Sequence, residues 1–570
     1  MKKLLPCLLA LPLIAAPPLI AQTSEDDEDL AAQGIFVESI DVNIVNVEVY
    51  VTDKKGNRVT GLSKDDFVLE VGDRPVAITN FYAVEGGRAT AGGVELPAAA
   101  PETAGVEGRT QVPRVPEDQR LHLIVYVDNL NIRPFTRNRV LRQARGFLRT
   151  HLRPDDEVML VTYERSLHTR VPFTRDPEII ASALYDIEEM SGHGVSADSD
   201  RRDILEQIYE AQSAYEVRGR ATQYAESLYN DLGFTLDALE TLVQSLSGLP
   251  GRKAILHVSD GLSMRPGEDV FQAIYDQFPA DSSILMDGSR YDLTRRFRNL
   301  TTQANASRVT FYTLEAAGLR TYSHIDVATR NPGRSGPRID QIHFSNLQSS
   351  LRYLADETGG MAMVNTNNFA PMLERMADDF DNYYSLGFSP AASESGRYHR
   401  IKVTVQGGKR LEVRHREGYR DRSLSKRMTD GTLAALHYGY QNNTLAVKLE
   451  IGEVIPHGNK RYVVSLRVKI PLGRLSYLPR DDVHHGRVRL FVGAKDEEGG
   501  LAPVQDVPVP IDIPDAEFER AKAQFYQYEM KLIMRGGHQV VAVGVRDEIG
   551  AVTGFVTCGL QVGDVRGDAG

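Results

Sequence analysis

Two apolar runs stand out along this chain. Leu121 to Val127 is apolar except for His122 and stops at Asp128. Ala254 to Val258, interrupted only by His257, leads through Ser259 to Asp260, Gly261, Leu262 and Ser263. Near-continuous apolar runs of this length suit strands buried on both faces of a parallel sheet. A carboxylate at the C-terminal end of such a strand sits where open α/β sheets place their ligands. Around the two runs the period changes to that of helices: Val140, Leu141, Ala144, Phe147, Leu148 and Leu152, then Ile179, Ile180, Ala183, Leu184 and Ile187, then Leu236, Leu239, Leu242, Val243 and Leu246. Further strands are predicted over 158–163, 309–314 and 361–364, and helices over 293–306, 347–358 and 369–383. Residues 191–203 read as a loop, 204–229 as a polar helical insertion and 264–290 as irregular. Strand–helix alternation of this length predicts a doubly wound, Rossmann-like α/β domain over 119–390.

The flanks have period two. Ile40, Val42 and Ile44 alternate, and Val45, Val47, Val49 and Val51 alternate in the opposite phase, which predicts a long strand with a bulge. With strands around Phe67–Val71 and Val76–Phe81, residues 35–84 read as a small N-terminal β-domain. Residues 85–118, rich in Gly, Ala, Pro and Glu, read as a linker. After Tyr384 the alternation returns, giving a β extension over 391–422. Regular short strands over 423–565 suggest a β-sandwich. The expected architecture is multidomain, α/β and β.

Composition narrows the context. The formal charge is −11, and no basic stripe with interleaved aromatics occurs, so nucleic acid is not the expected partner. Residues 1–21 carry two lysines, an apolar stretch and small residues near Ala21, the pattern of a secretory signal peptide. The acidic segment 22–34 reads as disordered. Beyond the leader the one cysteine is Cys558, which leaves no intramolecular disulfide and no cysteine metal site. No later segment has the length and apolarity of a membrane span. An exported bacterial protein, periplasmic or secreted, is the expectation.

Several separated segments then resemble one family in order. LHLIVYVD, RPDDEVMLVTYER, VPFTRD and ILHVSDGLS are similar to a von Willebrand factor A domain. VNVEVYVTDKKGNRVTGLSKDDFVLEVGDRPVAITNF, LTTQANASRVTFYTLEAAG, LRYLADETGGMAMVNTNNF and YYSLGFSP are similar to the bacterial VWFA-related exported proteins. The resemblance covers about residues 35–420. It implies a doubly wound sheet with a metal-ion-dependent adhesion site, in which an Asp-x-Ser-x-Ser loop, a threonine and a second aspartate hold a divalent cation such as Mg²⁺ by oxygen ligands and leave one position open to a partner's carboxylate. Asp128 and Asp260 match the carboxylate positions, and Ser196 stands as the candidate for the threonine. Leu130 and Ile132 occupy the serine positions, so the expected site is degenerate. The competing reading makes both aspartates caps of the turns that follow them. Asn129, Asn131, Gly261 and Ser263, in the same two loops, are the candidate partner contacts.

Other residue groups carry less. His484 and His485 are adjacent on an alternating segment and point to opposite faces, so both cannot easily reach one ion. The tyrosines Tyr209, Tyr215, Tyr224 and Tyr229 read mainly as packing. No HExxH, G-x-S-x-G, P-loop or G-x-G-x-x-G motif occurs. The leading expectation is therefore a non-enzymatic module that binds a protein or cell-surface ligand. The alternatives are an envelope hydrolase built from Asp128, Asp260 and His193, or a structural scaffold.

Overall fold

The computed structural model describes residues 44–91, 94–95, 120–191, 194–320, 336–390, 396–407 and 411–563. At its centre is a six-stranded sheet. In chain order its strands are Leu121–Asp128, Glu157–Tyr163, Leu167–Thr174, Arg252–Ser259, Val309–Glu315 and Ala362–Met363. In space they run sixth, fifth, fourth, first, second, third. All neighbours are parallel except the third strand, which returns antiparallel to the second. This is a doubly wound arrangement, and the strand order reverses between the first and fourth strands, the switch point at which such sheets bind ligands.

Every residue of the first and fourth strands is buried. Alternate side chains feed two cores, as the pleat requires. Leu121, Leu123, Val125 and Val127 pack with the helices Pro134–His151, Pro177–Glu188 and Ala370–Asp381. Ile124 and Tyr126 pack on the other face with Ala214–Ser245, Thr294–Ala306 and Gly336–Thr358. Two expectations in this region are corrected. The stretch 191–203 is helical from Gly194, as part of Gly194–Glu210, and 264–290 holds the helices Glu268–Gln277 and Ser283–Ser289. Their buried side chains, among them Ile204, Ile208, Val270, Phe271, Ile274 and Ile284, form a cluster separate from the cores on the two faces of the central sheet, and each helix supplies only a few of them. Buried ion pairs from Arg201 to Asp269 (2.6 Å) and Asp340 (3.1 Å) tie Gly194–Glu210 to its neighbours.

The N-terminal strands are not a domain of their own. Val45–Asp53 pairs antiparallel with Tyr383–Phe388 and with Leu411–Arg414, Asn80–Glu85 flanks Tyr383–Phe388 on its other side, and Phe67–Val71 pairs with Tyr398–Val405. The segment 35–84 and the extension 391–422 are thus two halves of one sandwich, whose core unites Val47, Phe67, Leu386 and Val403. The main strands of the first half pair with the second half or with Tyr383–Phe388 and not with one another, and that pairing is invisible in either pattern taken singly. The linker expectation is corrected at its start, where Arg88–Ala91 and Val94–Glu95 add two short strands to the same sheet. The first part of the expected strand from Ile40, the leader 1–21, the acidic segment 22–34 and residues 96–119 lie outside the described residues.

The C-terminal region opens with a helix, Leu424–Tyr438, absent from the strand-only reading. It then forms two sheets around a shared core that includes Val464, Leu466, Leu490, Ile511, Val543 and Met534. One sheet is built on Val483–Asp496, Gly537–Asp547 and Thr553–Val562, with Gln505–Pro514 beside Val483–Asp496. The other has the order Lys448–Pro456, Arg461–Pro471, Phe525–Arg535. No helix among the described residues is long and apolar enough to cross a membrane.

Candidate functional site

The first and fourth strands are in register, with Val127 beside Val258, so the chain delivers Asp128 and Asp260 to the same rim at the switch point. The loop 129–133 runs between them and bonds to both. Asp128 is fully buried. Its carboxylate accepts the backbone N–H of Asn131 (3.1 Å), the Asn131 side-chain amide (3.0 Å) and the hydroxyl of Ser259 (3.2 Å). Burial pushes its pKa up to about 6 against the pull of these donors. Asp260 accepts from the backbone N–H of Arg133 (3.2 Å) and lies 3.5 Å from the Arg133 guanidinium and from the Thr136 hydroxyl. Burial raises this carboxyl to about 6 as well, with Arg133 and Arg320 opposing.

The neighbouring side chains lock the loop. Asn129 is buried, donates to the Ser191 carbonyl (2.8 Å) and accepts from the Arg137 guanidinium. Arg137, itself wholly buried, also donates to the carbonyl of Met190 (2.7 Å). Gly261 is buried at φ +103, and a Cβ there would meet the Leu347 carbonyl oxygen at 2.7 Å, which excludes any larger residue. Ser263 is half-buried and accepts from the side-chain amide of Asn346 (2.9 Å). Of the four expected partner contacts, Asn131 and Ser263 remain partly accessible, and Asn129 and Gly261 do not. Ser196 falls in the helix Gly194–Glu210, and its side chain, like His193, lies outside what the structure describes.

This donor set does not suit a divalent cation. The two positions that would supply hydroxyls are Leu130 and Ile132, and Ile132 is completely buried. The Asp128 oxygens are already engaged by an amide and a hydroxyl, and a guanidinium stands beside Asp260. Among the described residues no group of three or more His, Cys, Asp or Glu side chains could hold a metal ion. A hard cation needs about six oxygen ligands and no competing positive charge, so these residues do not fit one. A third carboxylate, Glu315 at the end of the fifth strand, is neutralised in the same way by Arg320 (2.7 Å), which also donates to the Asp260 carbonyl (2.7 Å).

What the rim does present is different from the expectation. Arg133 is half-exposed and pairs with Asp198 of the Gly194–Glu210 helix (3.1 Å). Phe135, in the first turn of Pro134–His151, is 80 % exposed. One turn on, Arg139 donates to the Ala316 carbonyl (2.9 Å), which brings the 316–319 loop alongside, and Leu319 is 65 % exposed. Arg133, Phe135, Arg137, Glu315 and Arg320 were all missed by sequence reasoning. Only Arg137 left a signal, as a charge on the same helical face as Val140, Leu141 and Ala144. His484 and His485 each bond their own carboxylate, Asp515 (2.8 Å) and Asp512 (2.7 Å).

No protein-family profile and no curated relative matches the chain. Among solved structures it is similar to a von Willebrand factor type A protein from Catenulispora acidiphila, at 9% identity over 78% of this chain and 66% of that one, TM-score 0.21. It is also similar to an aerotolerance-related membrane protein from Bacteroides fragilis, at 10% identity over 46% of this chain and 98% of that one, TM-score 0.25. A third is the manganese-loaded TRAP protein of Plasmodium vivax, at 8% identity over 53% of this chain and 95% of that one, TM-score 0.21.

Proposed function

We propose that this chain, whose fold is related to the von Willebrand factor A type, is an exported interaction module that docks a protein ligand on the C-terminal rim of its central sheet. The observation that carries the reading is Phe135, a large aromatic side chain left 80 % exposed between Arg133 and Thr136, both of which bond Asp260 at the switch point. A few residues carry most of the binding energy at protein interfaces, with arginine enriched among them, and phenylalanine is enriched at interfaces over the rest of the surface. Leu319 widens the apolar surface, and Arg133 offers a guanidinium to an acidic group of the partner in the place where the resemblance implied a cation. The leader-like pattern of residues 1–21 supports export.

Docking through Arg133 and Phe135 does not require Mg²⁺. Immobilised protein incubated with envelope extract should retain its partner equally with and without chelator. Phe135→Ala should weaken retention by about 2 kcal/mol, roughly thirtyfold, and Arg133→Glu should do at least as much. Retention that survives both substitutions, or that disappears on chelation, would overturn this reading. The hydrolase alternative, around Asp128, Asp260 and a histidine such as His193, falls partly on His193, which lies outside the described residues.

A further inference from the structure

The strand Phe525–Arg535 is an edge strand of the three-stranded C-terminal sheet. All eleven of its residues pair with Arg461–Pro471 without a register shift. At the two ends of that ladder Gly536 donates to the Lys460 carbonyl and Leu472 donates to the Gln524 carbonyl. Both bonds join positions of the same register, so the even-numbered residues of the strand turn their N–H and C=O groups inward. The odd-numbered residues, Phe525, Gln527, Glu529, Lys531, Ile533 and Arg535, turn theirs to the open edge.

Other long edges of this region carry the devices that block strand addition. Gln505–Pro514 has Pro508, Pro510 and Pro514, which remove donors at alternate positions. Lys448–Pro456 is broken by a register shift between Ile451 and Val454 and ends on Pro456. Phe525–Arg535 has no proline and no bulge.

We infer that this strand pairs antiparallel with the same strand of a second copy of the chain, about a two-fold axis through Met530. The sequence of the strand is self-complementary in that register. Glu529 falls opposite Lys531 of the second copy, and Phe525 opposite Arg535, a cation over a ring. Exposed Ile533 lies diagonal to Phe525 of the second copy, closing the apolar row Ile455, Val463, Ile533 that crosses the sheet. On the inner face Tyr526 meets Met534 and Tyr528 meets Leu532, all but Met534 only half-buried in one chain. Moving the axis by one residue sets Glu529 against Glu529 or Lys531 against Lys531, which like-charge repulsion disfavours. The register through Met530 also pairs the whole length. The two three-stranded sheets become one of six strands, with a shared edge in place of two open ones.

The test is the mass of the full chain in solution, by analytical ultracentrifugation over a series reaching about 200 µM, which covers micromolar dissociation constants. The wild-type chain should pass from monomer to dimer. Gln527→Pro removes one outward N–H and none from the internal ladder. It should shift the midpoint at least tenfold upward while leaving the thermal unfolding curve in place. Glu529→Lys and Lys531→Glu should each be monomeric alone and form a heterodimer when mixed, because mixing restores both charge pairs. Glu529 also faces Arg467 within its own sheet (3.7 Å), so the fold of each single variant is checked by thermal unfolding first. A chain that stays monomeric throughout, a dimer unaffected by Gln527→Pro, or single variants that fail to complement each other overturns the proposal. So do odd-numbered amides of this strand that resist hydrogen exchange at every dilution of a monomer, since another part of the same chain would then cover the edge. Arg133 and Phe135 take no part, so this outcome is independent of the docking rim.

Discussion

His257 shows how a single polar side chain in the core sets a measurable pH response. It sits in the fourth strand with no exposed surface, packed against the Tyr126 ring at 5.2 Å, and neither ring nitrogen has a hydrogen-bond partner. Burial lowers its pKa to about 3. The folded chain therefore keeps this imidazole neutral where the unfolded chain protonates it near 6.5, and stability falls as pH drops through that window. Replacing His257 by Leu removes an unsatisfied buried group, worth about 1–3 kcal/mol, and offsets it against a modest change of shape. The expected outcome is a variant with a higher Tm than the parent, by a margin that grows between pH 7 and pH 4. Equal margins at the two pH values would mean that the ring finds a partner in solution. The same scale explains what was legible at the candidate site. Asp128 and Asp260 were legible because each ends an apolar run, and a run's end marks a sheet's rim. The neutralising groups were not, because Arg133 and Arg320 reach the carboxylates from loops whose path the local pattern does not give.

Among the elements, Tyr383–Phe388 and the helix before it join the central domain to the sandwich. Asp379, in Ala370–Asp381, is fully buried and accepts from Arg414 (2.8 Å) and the Tyr312 hydroxyl (3.0 Å), with Arg58 paired to it as well. Arg58 and Arg414 come from the sandwich, and Arg252 of the fourth strand lies 3.9 Å over the Tyr383 ring and donates to the Tyr50 hydroxyl. Removing one partner of such a group leaves the others uncompensated, so Asp379→Ala should cost about 3–5 kcal/mol, read as a drop in the denaturant midpoint. Glu48, across the same interface, gives the pH signature. Burial alone would raise its pKa, but Arg308 and Arg416 hold it at about 2. A carboxyl lowered from 4.5 to about 2 contributes roughly 3 kcal/mol above pH 4.5 and loses it as pH falls toward 2. The stability gap between the parent and Glu48→Gln should therefore close across that interval. The strands feeding this interface were legible as alternation, and the central strands as near-continuous apolar runs. The third strand, Leu167–Thr174, was not, because half of its side chains at this sheet edge are exposed and only Val171 is buried. The helix Gly194–Glu210 was legible from Ile204 onward but not over its first turns, which are rich in Gly, Ser and Asp and whose Arg201 is buried through its acidic partners.

For the whole molecule the decisive fact is interleaving. Val45–Asp53 and Asn80–Glu85 flank Tyr383–Phe388 on both sides, so strands about 300 residues apart in the chain form one sheet. The pattern of each segment predicted its strands correctly in kind, yet pairing across such a separation leaves no local trace, and two separate β units were expected. Between those strands the chain makes the entire central domain, whose buried Asp379 and Arg252 need the sandwich's Arg58, Arg414 and Tyr50. Neither part then has a complete set of partners alone. Residues 119–390 expressed by themselves would carry Tyr383–Phe388 with no neighbouring strand and Asp379 without either arginine. That fragment should be recovered as aggregate or as a species that binds a hydrophobic dye, whereas 44–422 should unfold in one calorimetric transition that Glu48→Gln moves as a whole. Two resolved transitions in 44–422, with the variant shifting one of them, would show instead that the sandwich and the central domain fold independently and that their buried charges are settled within each part.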